Sequence, residues 1–169
     1  MNARNIVLIG FMGTGKSTVA HELAQRFGWK RVDLDASIEE AEKATIPQLF
    51  ADKGEPYFRR AETEALRREL EGVEGRVVAT GGGAVLAEEN RAIMTANGLV
   101  VALTADEETI VRRVKDDPNR PLLQGDLRER VRTLLGQRKH AYDFAHVRID
   151  TSDKTVERIA DEIAAHLAR

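Results

Sequence analysis

Short apolar runs alternate with longer amphipathic stretches along the whole chain. The first run is Ile6-Val7-Leu8-Ile9. Behind it, Lys16 to Phe27 places Val19, Leu23 and Phe27 four residues apart, which is one face of a helix, and Gly28 supplies its C-terminal stop. A second strand is predicted near Lys30–Leu34. Helical patterns follow over Ser37–Lys43, Ile46–Lys53 (with Pro47 in its first turn) and Glu55–Leu70. Arg76–Thr80 and Leu99–Leu103 read as buried strands separated by a helix over Glu88–Ala96. Asp106–Lys115 and Leu127–Ala141 are predicted helices, Val147–Asp150 a further strand, and Thr155–Leu167 a closing helix. Strands apolar on both faces, alternating with helices, predict an α/β fold: a five-stranded parallel sheet covered by helices on both sides. No repeat, low-complexity tract or linker divides the chain, so residues 1–169 are expected to form one domain. The stretch Asp116-Asp117-Pro118-Asn119-Arg120-Pro121 is the most loop-like in composition, and an arginine held between two prolines there suggests a lid, about 116–125.

Residues 10–17, Gly-Phe-Met-Gly-Thr-Gly-Lys-Ser, complete the pattern Gly-x4-Gly-Lys-[Ser/Thr] directly after the first apolar run. A strand feeding a glycine-rich turn that opens a helix is the setting of a phosphate-binding loop. Glycines let backbone N–H groups turn inward around phosphate oxygens with no Cβ in the way. In such a loop Gly13, Thr14, Gly15 and Thr18 line the phosphates, Lys16 reaches the β and γ positions, and the Ser17 hydroxyl is placed to ligate Mg2+. The pattern points to a nucleoside triphosphate as ligand.

Composition narrows the field. A formal charge of −2 over 169 residues gives no basic field to recruit nucleic acid. With no cysteine there is neither a disulfide framework nor a thiolate metal site. No apolar run approaches the roughly 20 residues that cross a bilayer, and the first residues, Met1 to Asn5, run straight into the first strand without a signal-peptide pattern. A soluble, cytoplasmic, monomeric protein is expected.

In an open parallel sheet, ligands bind beyond the carboxyl ends of the strands. Three polar motifs sit there: the phosphate loop, Asp33/Asp35 after the second strand, and Gly81-Gly82-Gly83 after the third. Two residues apart on an extended chain, Asp33 and Asp35 would point to the same side, one toward a metal and one toward an acceptor hydroxyl. The later strand Val77-Val78-Ala79-Thr80 runs into glycine with no acid, which leaves Asp33 as the best carboxylate to support a metal. There is no Asn-Lys-x-Asp motif for reading guanine. The triple glycine admits a small ligand close to the backbone. Arg59 and Glu62, three apart on a helix, are spaced for the acid to orient the guanidinium, which can clamp a carboxylate with two prongs. Arg138 is a candidate second clamp. Together these suggest an anionic acceptor.

Over essentially its full length the chain resembles the shikimate kinase family. The resemblance rests on Gly10–Thr18, Asp33-Leu34-Asp35, Phe58-Arg59-Arg60-x-Glu62, Gly81-Gly82-Gly83, Arg120-Pro121-Leu122-Leu123, and Arg138 with Tyr142. It implies a nucleoside-monophosphate-kinase-like three-layer fold with a lid and substrate-binding helices, about 35–71. It also implies transfer of the γ-phosphoryl group of ATP, with Mg2+, to the 3-hydroxyl of shikimate. Carried over by position, Asp35 would hold the acceptor hydroxyl and act as general base. Arg59, Arg138 and the Gly81–Gly83 backbone would bind the shikimate carboxylate and ring. Lys16 would grip phosphate, Ser17 and Asp33 would serve the metal, and Arg120 would swing onto the phosphates from the lid. Arg113 and the segment Asp150-Thr151-Ser152-Asp153, Ser152 in particular, would lie on the adenine side. The chain departs from the family pattern at His140, where a proline is usual, and at Phe144, where an acid is common. Losing the proline removes a rigid φ constraint near a helix end.

Two other readings share the nucleotide half: a related small-molecule kinase such as a gluconate kinase, and a catalytically silent nucleotide-binding module. The set Asp35, Arg59 and Gly81–Gly83 separates the first, because it builds a pocket for a hydroxylated carboxylate. The presence of Lys16, Asp35 and Arg120 together weighs against the second.

Overall fold

The computed structural model describes residues 4–115 and 127–168. Five strands form one sheet: β1 (Asn5–Gly10), β2 (Lys30–Asp33), β3 (Arg76–Ala79), β4 (Leu99–Thr104) and β5 (Val147–Asp150), in the order β2-β3-β1-β4-β5. Every pairing is parallel. The helices are α1 (Lys16–Phe27), α2 (Leu34–Glu42), α3 (Ile46–Lys53), α4 (Glu55–Leu70), α5 (Glu88–Asn97), α6 (Glu107–Lys115), α7 (Leu127–Gln137) and α8 (Val156–Leu167), with a 3-10 turn at Ala84–Leu86.

The central strand shows why the architecture has three layers. All six residues of β1 are buried, and successive side chains point to opposite faces. Val7 and Ile9 join a core with Ile38, Leu49, Phe58 and Leu66 from α2, α3 and α4. Ile6 and Leu8 join a second core with Val19 and Leu23 from α1 and Ile159 and Ile163 from α8. A strand buried on both faces must be apolar along its length, as the run Ile6–Ile9 is. The expectation of two apolar faces fails for β2 and β5, where only alternate or single positions are buried. They are the sheet's two edges, covered by fewer neighbours, so their outward positions stay polar.

Helix ends follow local chemistry. Gly28 closes α1 in the left-handed conformation, φ 68°. Thr45 and Gln48 form a reciprocal capping box at the start of α3, with Pro47 in its first turn. The predicted helix over Leu127–Ala141 stops at Gln137, and the chain continues through successive turns, Ala141 N donating to Arg138 O and Ala145 N to Tyr142 O. The predicted start of α2 is corrected from Ser37 to Leu34, a shift with consequences at the site.

Candidate active site

Because β1 lies between β3 and β4, its carboxyl end is where the chain changes direction across the sheet, the place where such sheets bind ligands. The register brings the neighbouring ends level: Leu8 pairs with Ala79, and Ala79 with Asp33. A cleft of about 480 Å³ opens there. It is lined by loop residues 13–18 together with Asp33, Asp35, Gly81–Gly83, Arg113 and Arg138.

The phosphate loop is held from within. Gly10 has φ 147°, and a Cβ there would lie 2.4 Å from the Leu103 carbonyl oxygen, so only glycine leaves β1 at this point. The buried Thr14 hydroxyl donates to Phe11 O at 2.7 Å. Lys16 Nζ donates to Gly10 O at 2.5 Å and Phe11 O at 3.1 Å, which folds the ammonium over the loop. Gly15, in the left-handed conformation, heads α1 without a side-chain cap, and no acid stands in the first turn. The first N–H groups of α1 and its positive dipole end are therefore directed at the cleft, the physical basis of anion binding at a helix N-terminus.

Asp33 and Asp35 do not share an extended segment, contrary to the spacing argument. Asp33 ends β2 and caps α2, its Oδ1 accepting from Asp35 N at 3.0 Å and Ala36 N at 3.3 Å. Asp35 stands in the first helical turn. Both nevertheless line the cleft. The helix starts early because an aspartate after a strand is itself a strong N-cap.

Each of the three consecutive glycines faces a charged group. A Cβ at Gly81 would lie 3.1 Å from Asp35 Oδ1, at Gly82 2.7 Å from Arg138 Nη1, and at Gly83 2.7 Å from both Arg59 Nη1 and Nη2. Arg59 is oriented by the predicted partner: Nη1 donates to Glu62 Oε1 at 3.0 Å, and Glu62 is 1% exposed. Burial pushes the Glu62 carboxyl above its ordinary pKa; Arg59 pulls it down, and the Asp35 charge pushes it further up. Arg59 lies over the Phe58 ring at 5.3 Å and Arg138 over the Phe11 ring at 6.0 Å, contacts of cation–π kind. Burial raises the Tyr142 pKa despite the opposing Arg138 charge. At the substituted position, His140 Nδ1 lies 2.9 Å from Asp143 Oδ2 on the surface.

On the opposite side, Arg113 reaches from α6 to Gly13 O at 2.9 Å and to Thr151. The Ser152 hydroxyl accepts from Asp106 N at 2.9 Å. Arg120 and the expected lid, 116–125, lie outside the described residues. Sequence reasoning assigned no function to Phe11 or to Asn90, and placed Thr151 only within a segment on the adenine side. Asn90 is buried and ties the glycine loop to α4: its Nδ2 donates to Ala84 O at 3.0 Å, and its Oδ1 accepts from the Thr63 hydroxyl at 2.6 Å. Thr151 meets Thr14, and Asn90 meets Thr63, across stretches of chain that no local pattern spans.

A parallel sheet of this order, with a Gly-x4-Gly-Lys-Ser loop at its switch point, is that of a phosphate-loop kinase of nucleoside-monophosphate-kinase type. Within that class the chain belongs to the shikimate kinase family, whose model matches residues 12–168. It is 51% identical over 164 residues to a shikimate kinase of Geobacter sulfurreducens, covering 96% of this chain and 90% of that protein. Among solved structures it resembles the shikimate kinase of Acinetobacter baumannii in complex with shikimate: TM-score 0.87, 38% identity, 98% of this chain and 93% of that one. A gluconokinase of Sinorhizobium meliloti superposes with TM-score 0.63 at 19% identity, over 99% of this chain and 93% of that one, a likeness of fold alone. No helix among the described residues is long and apolar enough to cross a membrane.

Proposed function

We propose that this chain is an ATP:shikimate 3-phosphotransferase, transferring the γ-phosphoryl group of ATP to the 3-hydroxyl of shikimate to give shikimate 3-phosphate, a step toward chorismate and the aromatic amino acids. The observation that carries the reading is the row Gly81–Gly83, each glycine facing one charged group of the set Asp35, Arg138 and Arg59. One carboxylate and two guanidinium groups around bare backbone suit an acceptor with a hydroxyl at one end and a carboxylate at the other. ADP release that depends on shikimate tests it.

In this account Arg59 and Arg138 clamp the shikimate carboxylate, and Glu62 and the Phe58 ring keep Arg59 in place. The acceptor oxygen attacks the γ-phosphorus as the bond to the β–γ bridging oxygen breaks. ADP leaves, and the hydroxyl proton passes to the Asp35 carboxylate. Phosphoryl transfer of this kind needs in-line positioning and neutralisation of charge more than covalent chemistry. Lys16 and the amides of the loop supply that neutralisation from the protein. Arg120, carried over by position, would add to it from the lid, whose closure excludes water that would otherwise hydrolyse ATP.

The donor set fits Mg2+, a hard ion that keeps several waters and takes few protein oxygens. Ser17 lies beside the phosphate loop, and Asp33 keeps Oδ2 clear of its capping role. Among the described residues no group of three or more His, Cys, Asp or Glu could hold a metal ion by itself. When bound with ATP, the ion neutralises β- and γ-phosphate charge. We assign residues 1–169 to a single catalytic unit, with 35–71 as substrate-binding helices and 116–125 as lid, acting as a cytoplasmic monomer.

A further inference from the structure

A phosphate loop can hold its ligand only if its N–H groups keep pointing inward. In a trans peptide the carbonyl points opposite to the next residue's N–H, and the plane is stiff. No cis peptide occurs among the described residues. An inward Thr14 N–H therefore turns the Gly13 carbonyl outward, and an inward Gly15 N–H turns the Thr14 carbonyl outward. Outward here means into protein, where an unpaired carbonyl is costly. What these two carbonyls meet decides how firmly the loop is set.

They meet a pair of side chains from distant elements. Arg113, on α6, donates from Nη1 to Gly13 O at 2.9 Å. Thr151, in the turn after β5 and 1% exposed, places its hydroxyl 3.0 Å from Thr14 O and 3.0 Å from Thr104 O. A hydroxyl has one proton for two acceptors. Thr104 O already accepts the Thr151 backbone N–H at 2.8 Å, so giving the hydroxyl proton to Thr14 O leaves both carbonyls with a donor. The lone pairs of the same hydroxyl accept Arg113 Nη1 at 3.2 Å, and Arg113 Nη2 donates to Thr151 O at 3.2 Å. One hydroxyl thus ties together the underside of the loop, the end of β4 and the arginine that supports Gly13.

We infer that Thr151 is a positioning residue for nucleotide binding: without touching the ligand, it fixes the outward carbonyl of Thr14 and the Arg113 guanidinium, and so the inward amides of the phosphate loop. The inference rests on the reading of that loop as the ATP site. Because Thr151 lies on the nucleotide side, its loss weakens ATP binding while leaving the acceptor pocket of Arg59, Arg138 and Gly81–Gly83 intact.

The test compares wild type, Thr151→Val and Thr151→Ser as full-length protein, measuring ATP dissociation constants by calorimetry and the KM of each substrate. Valine keeps the volume and removes the hydroxyl; serine keeps the hydroxyl. Loss of one buried hydrogen bond predicts ATP binding about 10-fold weaker in Thr151→Val, with shikimate KM within about twofold of wild type and Thr151→Ser close to wild type. Should valine not fold, Thr151→Cys, with its weak donor, carries the same comparison. Equal ATP affinity in wild type and Thr151→Val, serine behaving like valine, or a shikimate KM that rises in step with that of ATP would each overturn the role of Thr151. Failure of the wild type itself to bind ATP would overturn the loop reading beneath it.

Discussion

The Arg59 guanidinium lies where a Gly83 side chain would begin, with Nη1 and Nη2 each 2.7 Å from the position of a Cβ. Gly83 itself has φ −90° and ψ −7°, a conformation open to any residue. The glycine is thus required by its neighbour and not by its backbone. Because that neighbour is the free end of a long side chain, Gly83→Ala should fold and push Arg59 aside. A displaced clamp forfeits a charge-assisted contact, so shikimate KM should rise roughly 10- to 100-fold with ATP KM unchanged. Steady-state kinetics with each substrate varied separately checks this; an unchanged shikimate KM would remove Arg59 from the acceptor pocket.

Gly10 presents the opposite case. Its φ of 147°, and the Leu103 carbonyl oxygen 2.4 Å from where a methyl group would sit, leave no room in either backbone. Gly10→Ala should cost about 2–4 kcal/mol of stability. For a chain of this size that lowers Tm by roughly 5–15 °C. A ligand-free thermal melt suffices, and a Tm equal to wild type would mean that the β1 exit differs from the one described.

Asp35→Asn keeps the shape and removes the proton acceptor. Turnover should fall roughly 10²- to 10⁴-fold, the usual worth of a positioned acid–base group, while ATP affinity stays near wild type. Near wild-type kcat in this variant would take Asp35 out of the base role.

Glu62 makes a prediction in pH. Its folded-state pKa is raised, chiefly by burial, so the native state holds the proton more tightly than the unfolded chain. Stability attributable to this group therefore falls as pH rises from the ordinary carboxylate pKa through the raised one. Function runs the other way, because only ionised Glu62 orients Arg59. Shikimate KM should rise as pH drops through the raised pKa, giving an acid limb above the ordinary carboxylate range. Glu62→Gln should show an elevated KM without that limb. The same limb in both proteins would place its origin elsewhere.

Much of this molecule is readable in order along the chain. The run Ile6–Ile9 and the Gly-x4-Gly-Lys-Ser pattern announce the central strand and its loop, because full burial and phosphate geometry each demand particular residues at fixed spacing. The pairing of Arg59 with Glu62 is legible for the same reason: three residues apart on a helix are neighbours. What spacing cannot show is where an element starts. Asp33 turns out to be both the last residue of β2 and the N-cap of α2, which places Asp35 on the first turn of the helix instead of on an extended segment. The longest contacts are the least visible. Thr151 meets Thr14 across 137 positions, and Asn90 meets Thr63 across 27. Such pairs exist only once the sheet has set which loops are adjacent.

The identity of the acceptor decides what this enzyme does. A coupled assay of ADP release with ATP and Mg2+, run with shikimate, with gluconate and with neither, addresses it most directly. Release should require shikimate, with gluconate no better than the blank. Release driven by gluconate, or none with shikimate from a protein that binds ATP, would contradict it.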